Sequence, residues 1–107
     1  MQLTTFFGLW KLNKSIQPAP TPEAQIMQQE GFNMMIRAQL QAGRLRDVHA
    51  YLEGDAGYFF YEGSNEQLAE DLALWSPYVN FEVHETLPIQ KSTELSLAAF
   101  KKRAGKA

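Results

Sequence analysis

Two helix-start signals divide this chain, and what flanks them leaves few folds open. Thr21 followed by Pro22 is an N-cap with proline at the first helical position, and Glu23 suits the first turn. Ser64 with Gln67 three residues later is a capping box. Strand-like segments stand on both sides of each signal. Leu3 to Leu12 is rich in Thr, Phe, Leu and Trp and has no helical periodicity. Leu45 to Leu52 alternates, Glu53 to Gly57 is a turn with two glycines, and Tyr58 to Tyr61 is a short aromatic strand, so this stretch reads as a hairpin. Tyr78 to Leu87 alternates most cleanly of all.

The predicted order is therefore β-α-β-β-α-β, the split βαβ motif of the ferredoxin-like fold. This is an α+β class, with a four-stranded antiparallel sheet and both crossover helices on one face. Thr93 to Arg103 adds a short helix, so residues 91–107 form a C-terminal helical extension of a single domain spanning residues 1–107. The first helix is predicted to run to about Ala42, where Gly43 ends it as a left-handed cap. Ala24, Met27, Gly31, Met34, Met35, Ala38 and Ala42 fall at three- and four-residue steps and form its predicted buried stripe. Leu68, Ala69, Leu72 and Trp75 do the same for the second helix, which Pro77 stops. Leu95, Ala98, Ala99 and Lys102 give the last helix its inner side.

Period two in the first strand places Phe6, Gly8, Trp10 and Leu12 on one face and Thr5, Phe7, Leu9 and Lys11 on the other. Both faces are largely apolar, which reads as a central strand covered on both sides. The helices cover one side only. An uncovered aromatic sheet face is an association site, and its simplest cover is the sheet of a second copy stacked about a twofold axis. A homodimer, or a higher homo-oligomer, is the expected partner state.

The 107 residues are 45% hydrophobic and 21% charged, which suits one globular domain and excludes disorder, collagen-like repeats and a coiled coil. Cysteine is absent, which excludes disulfides, a cysteine nucleophile and thiolate metal sites. A net charge of −2 argues against nucleic acid as a partner. No stretch approaches the ~20 apolar residues of a membrane span, and the lysines near the start follow the apolar part where a signal peptide has them first. A cytoplasmic location is expected, with no membrane partner. Charge is nevertheless segregated. Residues 47–90 hold nine acids and no Lys or Arg, whereas residues 91–107 hold five basic residues and one acid.

His49 and His84 are the two histidines, able to act as acid or base near neutral pH. Asp47 and Glu82 each precede one of them by two positions, about 6.5–7 Å along a strand. In the expected strand order 4-1-3-2, the histidines lie on opposite edge strands, roughly 14 Å apart. They cannot share a metal ion within one subunit, and no metal or cofactor is expected. Trp10, Tyr51, Tyr58 and Phe60 are candidates to line an aromatic pocket, the two tyrosines adding hydroxyls that orient a ligand. Arg37, Arg44 and Arg46 are the nearest candidates to hold a carboxylate. There is no phosphate loop, nucleophile elbow or dinucleotide fingerprint.

Two segments, LALWSPYVNFEVHETLP (Leu72 to Pro88) and GRLRDVHAYLEGDAGYFFYEGSNEQL (Gly43 to Leu68), resemble muconolactone isomerase-like proteins of the dimeric α/β-barrel superfamily. The helix and W-x-P-x-V-x-F-E-V pattern is also similar to an uncharacterised small-domain family of that size. The resemblance implies sheet-to-sheet dimers with a small organic ligand in a pocket at each subunit's sheet. The leading expectation is a cofactor-free isomerase or other proton-transfer enzyme on a small organic acid. His49 or His84 would be its base, and Trp10, Arg37, Tyr51 and Tyr58 would bind substrate. The alternatives are a non-catalytic ligand-binding or assembly protein and a cofactor-free monooxygenase.

Overall fold

The computed structural model describes residues 4–105. The expected first residue of the opening strand, Leu3, and the last two residues of the C-terminal extension lie outside that range. The elements are β1 (Thr4–Leu12), α1 (Pro22–Ala42), β2 (Leu45–Ala50), β3 (Ala56–Gly63), α2 (Asn65–Ala73), β4 (Val79–Glu85) and α3 (Ile89–Arg103). The four strands form one antiparallel sheet in the order β2-β3-β1-β4, consistent with the ferredoxin-like fold.

Both crossover helices begin where their caps dictate. The Thr21 hydroxyl accepts from the Ala24 amide, and Gly43 closes α1 at φ 85°, a left-handed conformation that glycine adopts without strain. At Ser64 both bonds of the capping box are made.

The core lies between the sheet and the helices. Phe6, Leu45, Phe59, Tyr61 and Leu68 form its buried cluster, with Trp10, Val48, Leu72, Phe81 and Val83 packed around it. Burial of Phe6 or Phe59 stabilises the fold by on the order of 1.5–3 kcal/mol. Two glycines make room for the aromatics. A Cβ on Gly8 would strike the Phe59 ring, and one on Gly57 would strike the His49 carbonyl and the Trp10 indole. Gly8 pairs with Phe59 and Trp10 with Gly57 across β1 and β3. In each pair the missing side chain on one strand is the seat for the ring on the other.

Several local expectations need correction. The packed side of α1 is the one carrying Phe32, Met35, Ile36 and Gln39. Met27 and Met34 from the predicted stripe stay 73% and 67% exposed. Helix periodicity is the same for both readings. The choice is decided by Trp75 and Tyr78, whose rings receive Phe32 at 5.5 and 5.4 Å. Trp75 itself lies beyond α2, in the turn that follows it. β2 contains a bulge: Arg46 pairs with Phe60 and His49 with Tyr58, so three steps on β2 match two on β3. Asp47 occupies the bulge at φ 49°. The strand ends at Ala50, and Leu52 is fully exposed in the turn.

The largest departure is α3. It starts at Ile89, four residues before the expected Thr93, and buries no residue. Its predicted inner side packs on nothing, since Leu95, Ala98, Ala99 and Lys102 are all exposed. The molecule measures 67 × 28 × 23 Å with a radius of gyration of 18.6 Å. A compact chain of this length has a radius near ~13 Å.

Candidate functional site

The sheet carries two distinct surfaces, and the expected site residues are split between them. On the helix side, a cavity of about 410 Å³ lies between α1 and the sheet. Trp10, Val48, Phe59 and Phe81 line its floor, and Phe32, Ile36 and Leu40 of α1 form its roof. Trp75 closes one flank. Its polar lining side chains are three amides, those of Gln29, Asn33 and Gln39, and none of the lining side chains ionises.

The indole N–H groups of both tryptophans are already engaged. Trp10 Nε1 donates to the His49 carbonyl at 3.1 Å, and Trp75 Nε1 donates to Gln39 Oε1 at 3.0 Å. Gln39 Nε2 in turn donates to the Asp71 carbonyl at 3.0 Å. Both indoles therefore serve the cavity as apolar walls held at fixed angles. Gln29 Nε2 donates to Asn33 Oδ1 at 3.0 Å, which leaves the Asn33 amide N–H groups and the Gln29 carbonyl oxygen without a protein partner at the exposed rim of the cavity.

A polar network closes the α2 end of the core. Tyr61 Oη donates to Asp71 Oδ2 at 2.6 Å, and Arg44 Nε lies 3.0 Å from the same oxygen and 3.1 Å from Tyr61 Oη. Arg44 also reaches Asp71 Oδ1 at 3.3 Å. The Tyr61 hydroxyl is pushed up to about 12, first by burial and then by its bond to Asp71. Burial alone would raise the Asp71 carboxyl, but hydrogen bonds from Arg44 and Tyr61 and the guanidinium charge outweigh it and hold the group below its ordinary value. Asp71 in turn raises the Arg44 guanidinium, mainly through their hydrogen bond. Both carboxylate oxygens of Asp71 and the Tyr61 hydroxyl are engaged within this network, so it acts as a latch joining the α1–β2 connection, β3 and α2.

The other sheet surface has no helix over it. Phe7, Leu9, Tyr58 and Phe60 occupy its centre, as the register requires: Phe7 pairs with Phe60 and Leu9 with Tyr58. Phe7 lies 5.4 Å from Phe60 and 6.2 Å from Tyr58, centroid to centroid. His49 stacks on Tyr58 at 5.0 Å with 15° between planes, and Tyr51 lies 6.5 Å from Tyr58. His84 is on the same surface at the β4 edge, paired across from Phe7, with Glu82 Oε2 3.4 Å from its Nε2.

Of the residues singled out from the sequence, His49, Tyr51 and Tyr58 come together. His84 shares their surface but stands across the sheet, on the opposite edge strand. Trp10 is on the other side of the sheet, in the cavity wall, so it shares no pocket with Tyr58 or Phe60. Arg37 is exposed on α1 and does not line the cavity. The Glu82–His84 pairing is present, whereas the bulge at Asp47 interrupts the alternation that would align it with His49. Arg44 is committed to Asp71, and Arg46 to Glu62 at 3.5 Å.

The features of the candidate site and its surroundings that sequence reasoning missed are the three amides of α1 and the Tyr61–Asp71 pair. A polar residue recurring on an otherwise apolar helix side, as Gln29, Asn33 and Gln39 do beside Phe32 and Ile36, was the available signal. Among the described residues, no three His, Asp or Glu side chains converge as metal ligands would, and no helix is long and apolar enough to cross a membrane. Comparison with family models, with curated proteins and with solved structures finds no match.

Proposed function

We propose that this chain is a ligand-binding subunit of a homodimer, taking a neutral, largely apolar and ring-containing small molecule into the cavity beneath α1. The observation that carries the reading is the cavity's lining. Its volume of about 410 Å³ falls within the ~300–1,000 Å³ of small-molecule sites. A carboxylate or ammonium inside it would find no counter-ion, and burying an unpaired charge is strongly unfavourable. A neutral ligand with one donor and one acceptor would match the Gln29–Asn33 amides.

General acid–base chemistry needs a titratable group within ~2.6–3.2 Å of the transferred proton, and the cavity walls offer none. Proton transfer on an organic acid would instead belong to the His49–Tyr58 stack on the open sheet face. A cofactor-free monooxygenase is the second reading, because an apolar aromatic cavity without acid or base is the environment it needs. The homodimer, in the manner of a dimeric α/β barrel, is supported by the uncovered aromatic sheet face and by the resemblance of Leu72 to Pro88.

Trp10 and Trp75 are the two tryptophans of the chain, and both line the cavity. Intrinsic fluorescence therefore reads the site directly. Titration at neutral pH with 2-naphthol and with 2-naphthoate is the test. Saturable quenching by the naphthol alone, abolished in Ile36→Trp by the ring filling the cavity, is the expected result. Equal response to both probes, or to neither, overturns the reading. Oxygen uptake with an electron-rich phenol separates the monooxygenase reading from binding alone.

A further inference from the structure

The chain leaves two apolar surfaces without partners, and they lie on different parts of the molecule. One is the open sheet face, centred on Phe7, Leu9, Tyr58 and Phe60. The other is α3. Ile89, Thr93, Leu97 and Phe100 recur at three- and four-residue steps and form one side of that helix. Ile89, Leu97 and Phe100 are 76%, 54% and 59% exposed. Three residues, 86 to 88, connect α3 to the edge strand β4, and Thr86 is tied to β1 through its bonds to the Thr5 carbonyl. From that anchor α3 runs for 15 residues and buries none of them.

We propose that α3 is an exchanged arm: in the homodimer, the α3 of each copy lies on the open sheet face of the other. The proposal rests on the homodimer reading above but places α3, in exchange for direct sheet-to-sheet packing, between the two copies. Area favours a second copy as the occupant. At ~150–250 Å² for each large side chain, the exposed parts of Ile89, Leu97 and Phe100 amount to roughly 350 Å². Two arms and the two surfaces they cover then bury on the order of 1,400 Å², within the ~1,200–2,000 Å² of a stable interface. Lys101, Lys102 and Arg103 sit at the C-terminal end of α3, where the helix dipole favours them.

The chain has no cysteine, so engineered thiols report contacts without background. Phe60→Cys and Leu97→Cys, prepared separately, mixed in equal amounts and oxidised, should yield a disulfide between the two variants. Leu97→Glu combined with Phe100→Glu should raise the dimer dissociation constant by about 100-fold, read by sedimentation at micromolar concentration. Circular dichroism and tryptophan fluorescence should stay unchanged, because α3 buries nothing within its own chain. A dimer that keeps its affinity in the double glutamate variant, with Phe60→Cys pairing with itself, overturns the arm and leaves a sheet-to-sheet dimer standing. A native chain that sediments as a monomer overturns the homodimer reading together with the arm. A disulfide formed within one chain carrying both cysteines, with no mixed dimer, shows α3 folding back on its own sheet and likewise overturns the exchange.

Discussion

The two faces of this sheet are built from the same strands and nearly the same composition, yet they are opposite in kind. On the helix face, Phe6, Phe59 and Tyr61 are buried, the Phe59 ring in a seat that Gly8 leaves open and Tyr61 held through its hydroxyl bond to Asp71. On the open face, Phe7, Tyr58 and Phe60 touch one another but remain partly exposed, and no helix lies over them. Aromatic content therefore does not locate the core. Steric fit does: a position where one residue type fits marks the packed side, and a position where rings merely adjoin marks a surface still to be covered.

That contrast breaks most sharply at Gly8. Gly8→Ala should destabilise the fold by about 3 kcal/mol in urea denaturation, because Phe59 must leave its seat. A loss below about 1 kcal/mol would mean that the helix face is as adaptable as the open one.

The polar latch gives the next largest effect, and it has a pH signature. The Tyr61 hydroxyl is raised from 10.0 to about 12 in the folded chain. Its contribution is complete below pH 10 and is lost as pH rises toward 12, on the order of 2 kcal/mol. Tyr61→Phe should lack that alkaline loss. Asp71 is shifted the other way, so its contribution is present above the ordinary carboxylate value and is lost as pH falls through the depressed one. Asp71→Asn should flatten the acid limb of the stability profile measured by thermal melts.

On the open face, Phe60→Thr keeps strand propensity and removes a ring that is 36% exposed. Unfolding of the isolated monomer should change by less than about 1 kcal/mol, while self-association measured in parallel weakens. A large loss of monomer stability would place Phe60 in the core after all. The smallest effect belongs to the β2 bulge. Asp47→Gly relieves a left-handed backbone and should leave stability within about 1 kcal/mol of the native chain, with a small gain in thermal midpoint.

The fold was largely legible in the sequence because its signals are local. The caps at Thr21 and Ser64, the stop at Gly43, the strand-forming composition of β1 and the alternation in β4 each act within a few residues. The strand order follows from the crossover rules once those elements are placed. What was not legible depends on contacts between distant segments. The side that α1 presents inward is chosen by Trp75 and Tyr78, more than thirty residues away in the chain. The separation of Trp10 from Tyr58 depends on the register of β1 with β3, which pairs Leu9 with Tyr58. The bulge at Asp47 shifts His49 relative to its predicted acidic neighbour, and nothing in LRDVHA marks it. α3 was legible as a helix, but its amphipathic pattern implied a partner within the chain that the chain does not supply.

The cavity's roof and floor differ in a way that bears on how such a chain can diversify. Its floor is shared with the buried cluster, and Gly8 and Gly57 admit no side chain there. Its roof is α1, a helix without a single buried residue. Substitutions at Gln29, Asn33 or Ile36 reshape the volume and the hydrogen-bonding handles while leaving the buried cluster of side chains untouched. Under the ligand-binding reading proposed above, ligand preference and foldability are thereby written in separate stretches of sequence, so one can drift under selection while the other is held.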